Sequence, residues 1–307
     1  MSRLLIRPSP QADESLPSIV VRTGKANALT ASEIIAYAGL EPYALATLPS
    51  SPEHAGKLAK LFDLPEAGIE ARLYVPDGPA RFRIRGTSFA RMDVRTSYRQ
   101  FSPAALARDN YHRIHWDLAI LVADPHTGET LLDRCPNCEG RVRWHAEDYE
   151  RCIRCGTHLA RTKSHPAPEH EIAFSRAVLG LLGWEEPEGA ALSPRLQALN
   201  LEELILALRH LGRLSALHCG AIADGDDPLR LGVKLALGTD SAFDTVVERV
   251  VSIGNGSDRF GAGRMLDSWL RVQDDRLPKA VRGLFATSMA PGQPRTKKPR
   301  SIRDRLR

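Results

Sequence analysis

The sequence predicts a mainly α-helical protein with small β elements in the middle of the chain, and three observations support this fold class. Amphipathic segments with helix-capping residues occur in both the N-terminal and the C-terminal part. Residues 81–85 (RFRIR) alternate arginine with apolar residues, as a half-buried strand does. Two Cys-x-x-Cys pairs follow between residues 135 and 155. The 307 residues are enough for two or three modest domains.

Composition and patterning divide the chain into four parts. We expect an N-terminal domain with helix-turn-helix-like helices and a central cysteine-containing region. These are followed by a C-terminal helical domain and a basic tail rich in proline, which is disordered in isolation. The predicted boundaries are 1–100, 101–165, 166–290 and 291–307.

The N-terminal domain contains the outline of a helix-turn-helix. Thr30 and Glu33 have the spacing of a capping box at the start of one helix. Leu58 and Phe62 lie on one face of a later helix, and a turn at residues 64–65 leads into a second short helix. Such a pair can read DNA, but any small helical domain contains one. Both interpretations stay open at this point.

The C-terminal half is predicted to consist of helices that pack through their apolar faces. Asn200 and Glu203 have the spacing of cap partners at the start of a long helix, and further helices are predicted over 241–254 and 264–273. An apolar stripe at helical spacing is typical of core packing. In the long helix the stripe consists of Leu201, Leu204, Ile205, Leu208 and Leu211.

The four paired cysteines have the spacing of a structural zinc ribbon. Cys135 and Cys138 form one pair, thirteen residues follow, and Cys152 and Cys155 form the other. Glycines at 140 and 156 let the backbone fold over the sulfurs. Four thiolates leave no open coordination position, so this zinc is structural, and its binding contributes on the order of 10 kcal/mol to folding. A redox dithiol and an iron–sulfur cluster are the alternatives.

Positive charge is concentrated in two stretches. Residues 72–113 contain nine Arg and three Asp, and residues 291–307 contain seven Lys or Arg and one Asp. Clustered arginine with interleaved aromatics can contact phosphates, although strand alternation also explains arginines that simply face solvent. The candidate nucleic-acid contacts are Arg81, Arg83, Arg85, Arg91, Arg95, Arg295, Lys297, Lys298 and Arg300.

Several functional classes lack their usual motifs. The chain has no phosphate-binding loop of the Gly-x4-Gly-Lys-Ser/Thr kind, no Gly-x-Ser-x-Gly nucleophile elbow and no His-Glu-x-x-His helix. The sequence therefore does not favour an enzyme. The N-terminus lacks a long apolar run, and the longest such run, residues 118–123, is too short to span a bilayer. We expect a cytoplasmic, nucleoid-associated bacterial protein without membrane contact.

Two stretches of the chain together resemble the TniQ family, transposition-targeting proteins that include TnsD. The first is the opening, in which Arg7-Pro8 and Glu14-Ser15-Leu16 lead to Arg22 and Asn27. The second runs from residue 95 to residue 159 and contains the cysteine pairs. The helical second half is similar in character only.

The chain departs from the family at an earlier zinc finger. The positions of its four ligands hold at most three oxygens and one methyl group, which cannot make a tight zinc site. These positions are Ser102, Ala105, Asp124 and Thr127. We expect this finger to keep its fold through packing around Trp116 and residues 118–123. One zinc per chain is therefore expected, and a value near two would contradict this interpretation.

The resemblance implies a non-enzymatic adaptor in DNA transposition. Such a protein contacts DNA or an RNA-guided target-recognition complex, in some members as a homodimer. It then recruits the transposon's AAA+ ATPase, of the TnsC or TniB kind. The alternative is a DNA-binding transcriptional regulator built from a zinc ribbon and a helix-turn-helix. A third possibility is an enzyme that uses the zinc module for rigidity.

Overall fold

The computed structural model of the protein describes residues 4–41, 45–144, 148–163, 165–185, 194–219 and 228–238. The helices predicted over 241–254 and 264–273 and the basic tail 291–307 lie outside these residues. No helix in the described part is long and apolar enough to cross a lipid bilayer.

The described residues form a mixture of helices and short antiparallel strands, which confirms the predicted fold class in outline. The helices are α1 Leu16–Ala26, α2 Ala31–Tyr37, α3 Ala55–Phe62, α4 Glu66–Glu70, α5 Pro103–Asp109, α6 Glu169–Leu181, α7 Pro194–Gln197, α8 Leu201–Cys219 and α9 Pro228–Gly238. The strands are β1 Val75–Pro76, β2 Arg81–Ile84, β3 Thr87–Ala90, β4 Ala123–Asp124 and β5 Glu129–Thr130. Short 3₁₀ turns include Ile114–Asp117, which precedes β4.

Polar side chains tie the N-terminal segment to α1. The Asn27 side chain donates to the Ile6 carbonyl (2.7 Å) and accepts from its amide (3.0 Å). Glu14 is fully buried, accepts a hydrogen bond from Ser18 (2.8 Å) and forms an ion pair with Arg22. Because a buried carboxylate needs such partners, these residues maintain the fold of the segment. The motif residues of the opening are therefore structural.

The cap of α2 is the one that the sequence predicts. Thr30 accepts from the Glu33 amide (3.2 Å), and Glu33 accepts from the Thr30 amide (2.7 Å). The reciprocal bonds satisfy two of the free backbone donors at the start of the helix. Gly39 follows the helix with a φ of 68°, a conformation that glycine adopts without strain.

The chain forms the predicted sequence of helix, turn and helix, but the second of these helices is short. Leu58 and Phe62 of α3 are buried, and Asp63 turns the chain with a φ of 58°. The following helix, α4, has five residues and exposes Glu66 and Glu70. Since exposed carboxylates repel DNA phosphates, this pair is better suited to packing than to DNA reading.

The arginine-rich stretch forms a three-stranded antiparallel sheet in the order β1-β2-β3. Phe82 and Ile84 of β2 face the core, and Arg83 between them is exposed. Arg85 and Gly86 form the turn to β3 with φ values of 47° and 86°, as a type I′ hairpin turn requires. The predicted alternation is thus confirmed, with the arginines of β2 on the outer side.

The helices of the C-terminal half pack at very short range. The predicted apolar stripe of α8 is buried, and Asn200 and Glu203 form the predicted reciprocal cap (3.0 and 3.1 Å). A Cβ added to Gly212 of α8 would lie 1.7 Å from a carbonyl of α9, and one added to Gly232 of α9 would lie 1.7 Å from the Leu208 carbonyl. The two backbones therefore touch where the glycines meet.

Burial of His210 in α8 makes the stability of this half dependent on pH. Burial, with Arg213 and Arg209 nearby, lowers the pKa of His210 to about 4 from an ordinary value of 6.5. The unfolded chain therefore binds this proton more readily than the folded chain does. The contribution of His210 to the free energy of unfolding is fully present above about pH 6.5, and falls by about 3 kcal/mol as the pH decreases to about 4.

His210→Gln removes this contribution, because glutamine does not titrate. We expect urea unfolding of the variant to lose about 3 kcal/mol less than the wild type between pH 7.5 and pH 4. His170→Gln is the matched control, since His170 is exposed on α6 and should leave the wild-type pH profile unchanged. Identical profiles for the wild type and His210→Gln would contradict the assignment.

Candidate metal centre

The four cysteine sulfurs have the geometry of a tetrahedral zinc site. The Sγ atoms of Cys135 and Cys155 are 3.6 Å apart, and those of Cys138 and Cys152 are 3.8 Å apart. A zinc ion with four sulfurs at about 2.3 Å requires neighbouring sulfurs about 3.8 Å apart. All four lie within 4.8 Å of one another and are free thiols rather than disulfides. The donor set therefore fits one structural zinc.

The two cysteine pairs lie on two equivalent turns. The Cys135 amide donates to the Gly140 carbonyl and the Cys152 amide to the Thr157 carbonyl, both at 2.9 Å. In each turn the amide of the residue after the second cysteine donates back to the first cysteine's carbonyl at 2.8 Å. This repeated backbone geometry directs both sulfurs of a pair to one point, as zinc knuckles do.

An arginine supports each turn from the outside. Arg134 donates to the Glu139 carbonyl (3.1 Å), and Arg151 donates to the Gly156 carbonyl (3.2 Å). Each arginine directly precedes the first cysteine of its pair, so the two contacts are equivalent. Their charges also offset the net charge of −2 that a zinc tetrathiolate carries.

One glycine has a different role from the one that the sequence predicts. Gly156 adopts a left-handed φ of 73°, as expected, but in the first turn Glu139 takes this conformation with a φ of 55°. Gly140 instead leaves room for Arg154, because a Cβ at this position would lie 3.0 Å from the Arg154 side chain, which would have to shift.

The four cysteine thiols differ in their surroundings. Cys135 and Cys152 are buried, whereas Cys155 is exposed. Hydrogen bonds with the side chain and backbone of Thr157 lower the pKa of Cys155 to about 6, and burial raises the pKa of Cys135. Because zinc binds thiolates, binding of the ion would release the protons that the thiols carry.

A buried arginine connects the cysteine ribbon to the N-terminal half. The Arg99 amide donates to the Val142 carbonyl (2.9 Å), and its fully buried guanidinium donates to the Tyr149 carbonyl. The same guanidinium lies 5.2 Å from the ring centroid of Trp144. Burial lowers the pKa of Arg99 to about 10, so the side chain stays charged at neutral pH. The ribbon is therefore docked onto this cation.

The degenerate first finger is closed by hydrogen bonds instead of a metal at its former ligand positions. Ser102 and Thr127 lie 3.0 Å apart through their hydroxyl oxygens, and Thr127 donates to Asp124 (2.7 Å). Ala105 is fully buried, and its amide donates to the Ser102 hydroxyl (3.0 Å). Glu129, which the sequence did not single out, accepts from Ser102. The four positions still converge, as the resemblance implies.

Packing completes the first finger in the predicted way. Trp116 and the run 118–123 are buried. The Gln100 side chain donates to the carbonyls of Trp116, Leu118 and Leu121 at 3.0 to 3.3 Å. A single amide thus satisfies carbonyls of a segment that has little regular structure, which keeps this segment folded in the interior.

Two candidate phosphate contacts on β2 have carboxylate partners. Arg81 forms an ion pair with Glu202 (2.7 Å) and donates to the Ser88 hydroxyl (2.8 Å). Arg83 pairs with Asp77 (2.7 Å), and its side chain is 53% exposed. Exposed pairs of this kind are weak, so Arg83 can exchange its carboxylate for a phosphate.

The remaining described candidates differ in exposure. Arg91 is exposed and stacks over Phe82 at 4.6 Å. Arg85 is half-buried and stacks over Trp184 at 4.8 Å. Arg95 is only 3% exposed, so its guanidinium cannot reach a phosphate in this conformation. The other four candidates, Arg295, Lys297, Lys298 and Arg300, lie outside the described residues.

The fold and the site define a helical protein with a cysteine ribbon of the zinc-binding type and a second, degenerate finger. Residues 5–126 match the TniQ family model, which confirms the resemblance of the opening and of the first finger. This match supports the TniQ resemblance for the first part of the chain, and the TniQ family is associated with transposition. The match ends before the four cysteines. A comparison with curated proteins found no match.

Proposed function

We propose that this protein is a non-catalytic adaptor that selects the target of DNA transposition. It contacts DNA or a target-recognition complex, and it recruits the transposon's AAA+ ATPase. The observation that carries the proposal is the TniQ match over residues 5–126.

The use of polar residues in the matched part supports an adaptor. Glu14, Arg22 and Asn27 are engaged within the N-terminal segment, and the Gln100 side chain is engaged by buried carbonyls. These groups hold backbone segments in place, so they are unsuited to acid–base or nucleophilic chemistry on a substrate. We therefore expect the matched part to act by binding a partner through its surface.

Two exposed arginines of the β1–β3 region are the best described candidates for DNA contact. Arg83 projects from the outer side of β2, and Arg91 follows β3 directly. Arg91 lies in the 3₁₀ turn after β3, with its guanidinium over Phe82, and both exposed guanidinium groups can bind phosphates without reading sequence. The basic tail, with Arg295, Lys297, Lys298 and Arg300, adds a second electrostatic contact in this proposal.

Arg83→Ala/Arg91→Ala should weaken DNA binding and reduce its salt dependence. Each lost phosphate contact lowers the slope of log K against log salt by about 0.9, so we expect a change of about 2. Arg108→Ala is the matched control, because Arg108 is exposed but lies on α5 and pairs with Asp109. Fluorescence anisotropy with a labelled duplex at several salt concentrations measures this. An unchanged slope would show that these two arginines do not contact DNA.

A pull-down with a transposon AAA+ ATPase of the TnsC or TniB kind, with and without DNA, tests the adaptor role itself. Capture of the ATPase by the wild type is the expected result. Failure to capture it under both conditions, with DNA binding intact, would favour a transcriptional regulator instead. Arg83→Ala/Arg91→Ala removes two arginines that we propose to contact DNA, so this variant should still capture the ATPase without DNA.

A further inference from the structure

We propose that His115, Asp124 and His126 form a second divalent-cation site beside the degenerate finger. The first finger of this chain lacks cysteines, and the sequence therefore predicts no ion there. The fold nevertheless brings two imidazoles and a carboxylate together at its edge. One of these, Asp124, occupies a former ligand position, whereas the two histidines do not.

The three side chains are close enough to share one ion. One ligand atom from each lies within 4.8 Å of the others. The Nε2 atom of His115 is 3.8 Å from Oδ1 of Asp124, and the ring centroids of His115 and His126 are 5.9 Å apart. An ion bound at about 2.1 Å from nitrogen and oxygen requires ligand atoms about 3.4 Å apart in a tetrahedral site. Sub-ångström to ångström side-chain movements supply the difference.

His115 provides an independent indication of a missing partner. The residue is 2% exposed, and its buried Nε2 has no hydrogen-bond partner among the described residues. An unpaired buried nitrogen is costly, because it has lost its hydration without compensation. The nitrogen faces the Asp124 carboxylate at a distance too long for a hydrogen bond and suitable for a bridging cation.

The carboxylate of the site is already oriented by its neighbours. Asp124 is fully buried, accepts from Thr127 through Oδ2 (2.7 Å) and accepts from the Trp116 indole through Oδ1 (3.3 Å). Such second contacts fix a metal-binding carboxylate in position and are typical of natural sites. They leave a further lone pair of Oδ1 for a cation.

The site is open to solvent on one side. The His126 side chain is 39% exposed, which gives an ion a route of entry. Its Nε2 lies 3.1 Å from Oε1 of Glu185, a carboxylate that can orient the imidazole while the other ring nitrogen binds the ion. Three protein ligands and a water would complete four coordination positions.

The donor set determines which ions are suitable. Two imidazoles and a carboxylate favour Zn²⁺, Co²⁺ and Ni²⁺ over Mg²⁺ and Ca²⁺, which prefer oxygen alone. Without thiolates the ion is held more weakly than in the cysteine ribbon. A second ion would correct the expectation of one zinc per chain, and would restore metal to the first finger through residues that the family pattern does not use.

Cobalt distinguishes the two sites by its spectrum. The purified full chain, carrying zinc in its cysteine ribbon, is titrated with Co²⁺ and monitored by absorption. We expect one further cobalt per chain, with visible d–d bands and without the near-ultraviolet charge-transfer band that thiolate ligands give. His126→Ala should weaken this binding by about 100-fold or more, since it removes a direct ligand whereas second contacts alone account for 10- to 100-fold.

His170→Ala is the matched control, because this exposed histidine of α6 lies outside the site and its loss should leave the cobalt affinity unchanged. Circular dichroism checks that both variants are folded. The proposal is overturned if the chain takes up no further cobalt, if the cobalt shows a thiolate band, or if His126→Ala binds it as the wild type does.

Discussion

Cys152→Ser should abolish zinc binding and unfold the ribbon from residue 131 to residue 159. Cys152 is 2% exposed and supplies one of four sulfurs that fit a tetrahedral ion. A hydroxyl is a poor ligand for zinc at neutral pH, and structural zinc contributes on the order of 10 kcal/mol to the folding of such modules. The folding free energy lost with the ion is therefore larger than the few buried apolar side chains of the ribbon can supply.

Elemental analysis and limited trypsin digestion measure this effect. The wild type should resist cleavage at Arg151 and Arg154, and Cys152→Ser should be cut there within the same digestion. Ile153→Ser is the matched control, because Ile153 lies between the ligands of the second turn but is 54% exposed. A Cys152→Ser chain that keeps its zinc and its resistance would disprove the ribbon as the metal site.

Gly232→Ala should lower the free energy of unfolding by about 3 kcal/mol, at the upper end of the range for overpacked interiors. A methyl group on Gly232 would lie 1.7 Å from the Leu208 carbonyl, so α8 and α9 must separate to admit it. Alanine has the higher helix propensity by about 1 kcal/mol, which acts in the opposite direction and makes a large net loss informative.

Urea denaturation followed by circular dichroism gives this free energy. Lys234→Ala, on the exposed side of the same helix, should leave the midpoint nearly unchanged. Gly212→Ala tests the other side of the contact, since a Cβ there would meet the Pro228 carbonyl at 1.7 Å. Full stability of both glycine variants would show that the helices do not approach this closely.

Contacts between near neighbours in the chain were readable from the sequence. Two helix caps join partners that are three residues apart in the sequence, Thr30 with Glu33 and Asn200 with Glu203. Spacing alone therefore predicts these contacts. Alternation over residues 81–85 predicted the buried and exposed sides of β2 for the same reason. The cysteine spacing predicted two turns facing one ion, and the distances between the sulfurs fit it.

Contacts between residues that are far apart in the sequence could not be predicted in this way. Glycine at 212 and 232 carries no local signal of a helix crossing, and the partner of each lies about twenty residues away. Glu129 replaces a metal-ligand contact of the first finger, yet nothing in its neighbours marks it. The burial of Arg95 depends on the ribbon and its surroundings, which only the assembled fold supplies.

The sequence by itself predicted the TniQ resemblance, the helical class and the clustering of the four cysteines, because each of these rests on residue type and short spacing. The tertiary structure alone brought His115, Asp124 and His126 close together, and decided which arginines reach solvent. The physical reason is that His115 lies in a 3₁₀ turn and Asp124 in β4, and the buried segment between them brings the two side chains together. Such a path is set by packing around Trp116 rather than by any local preference.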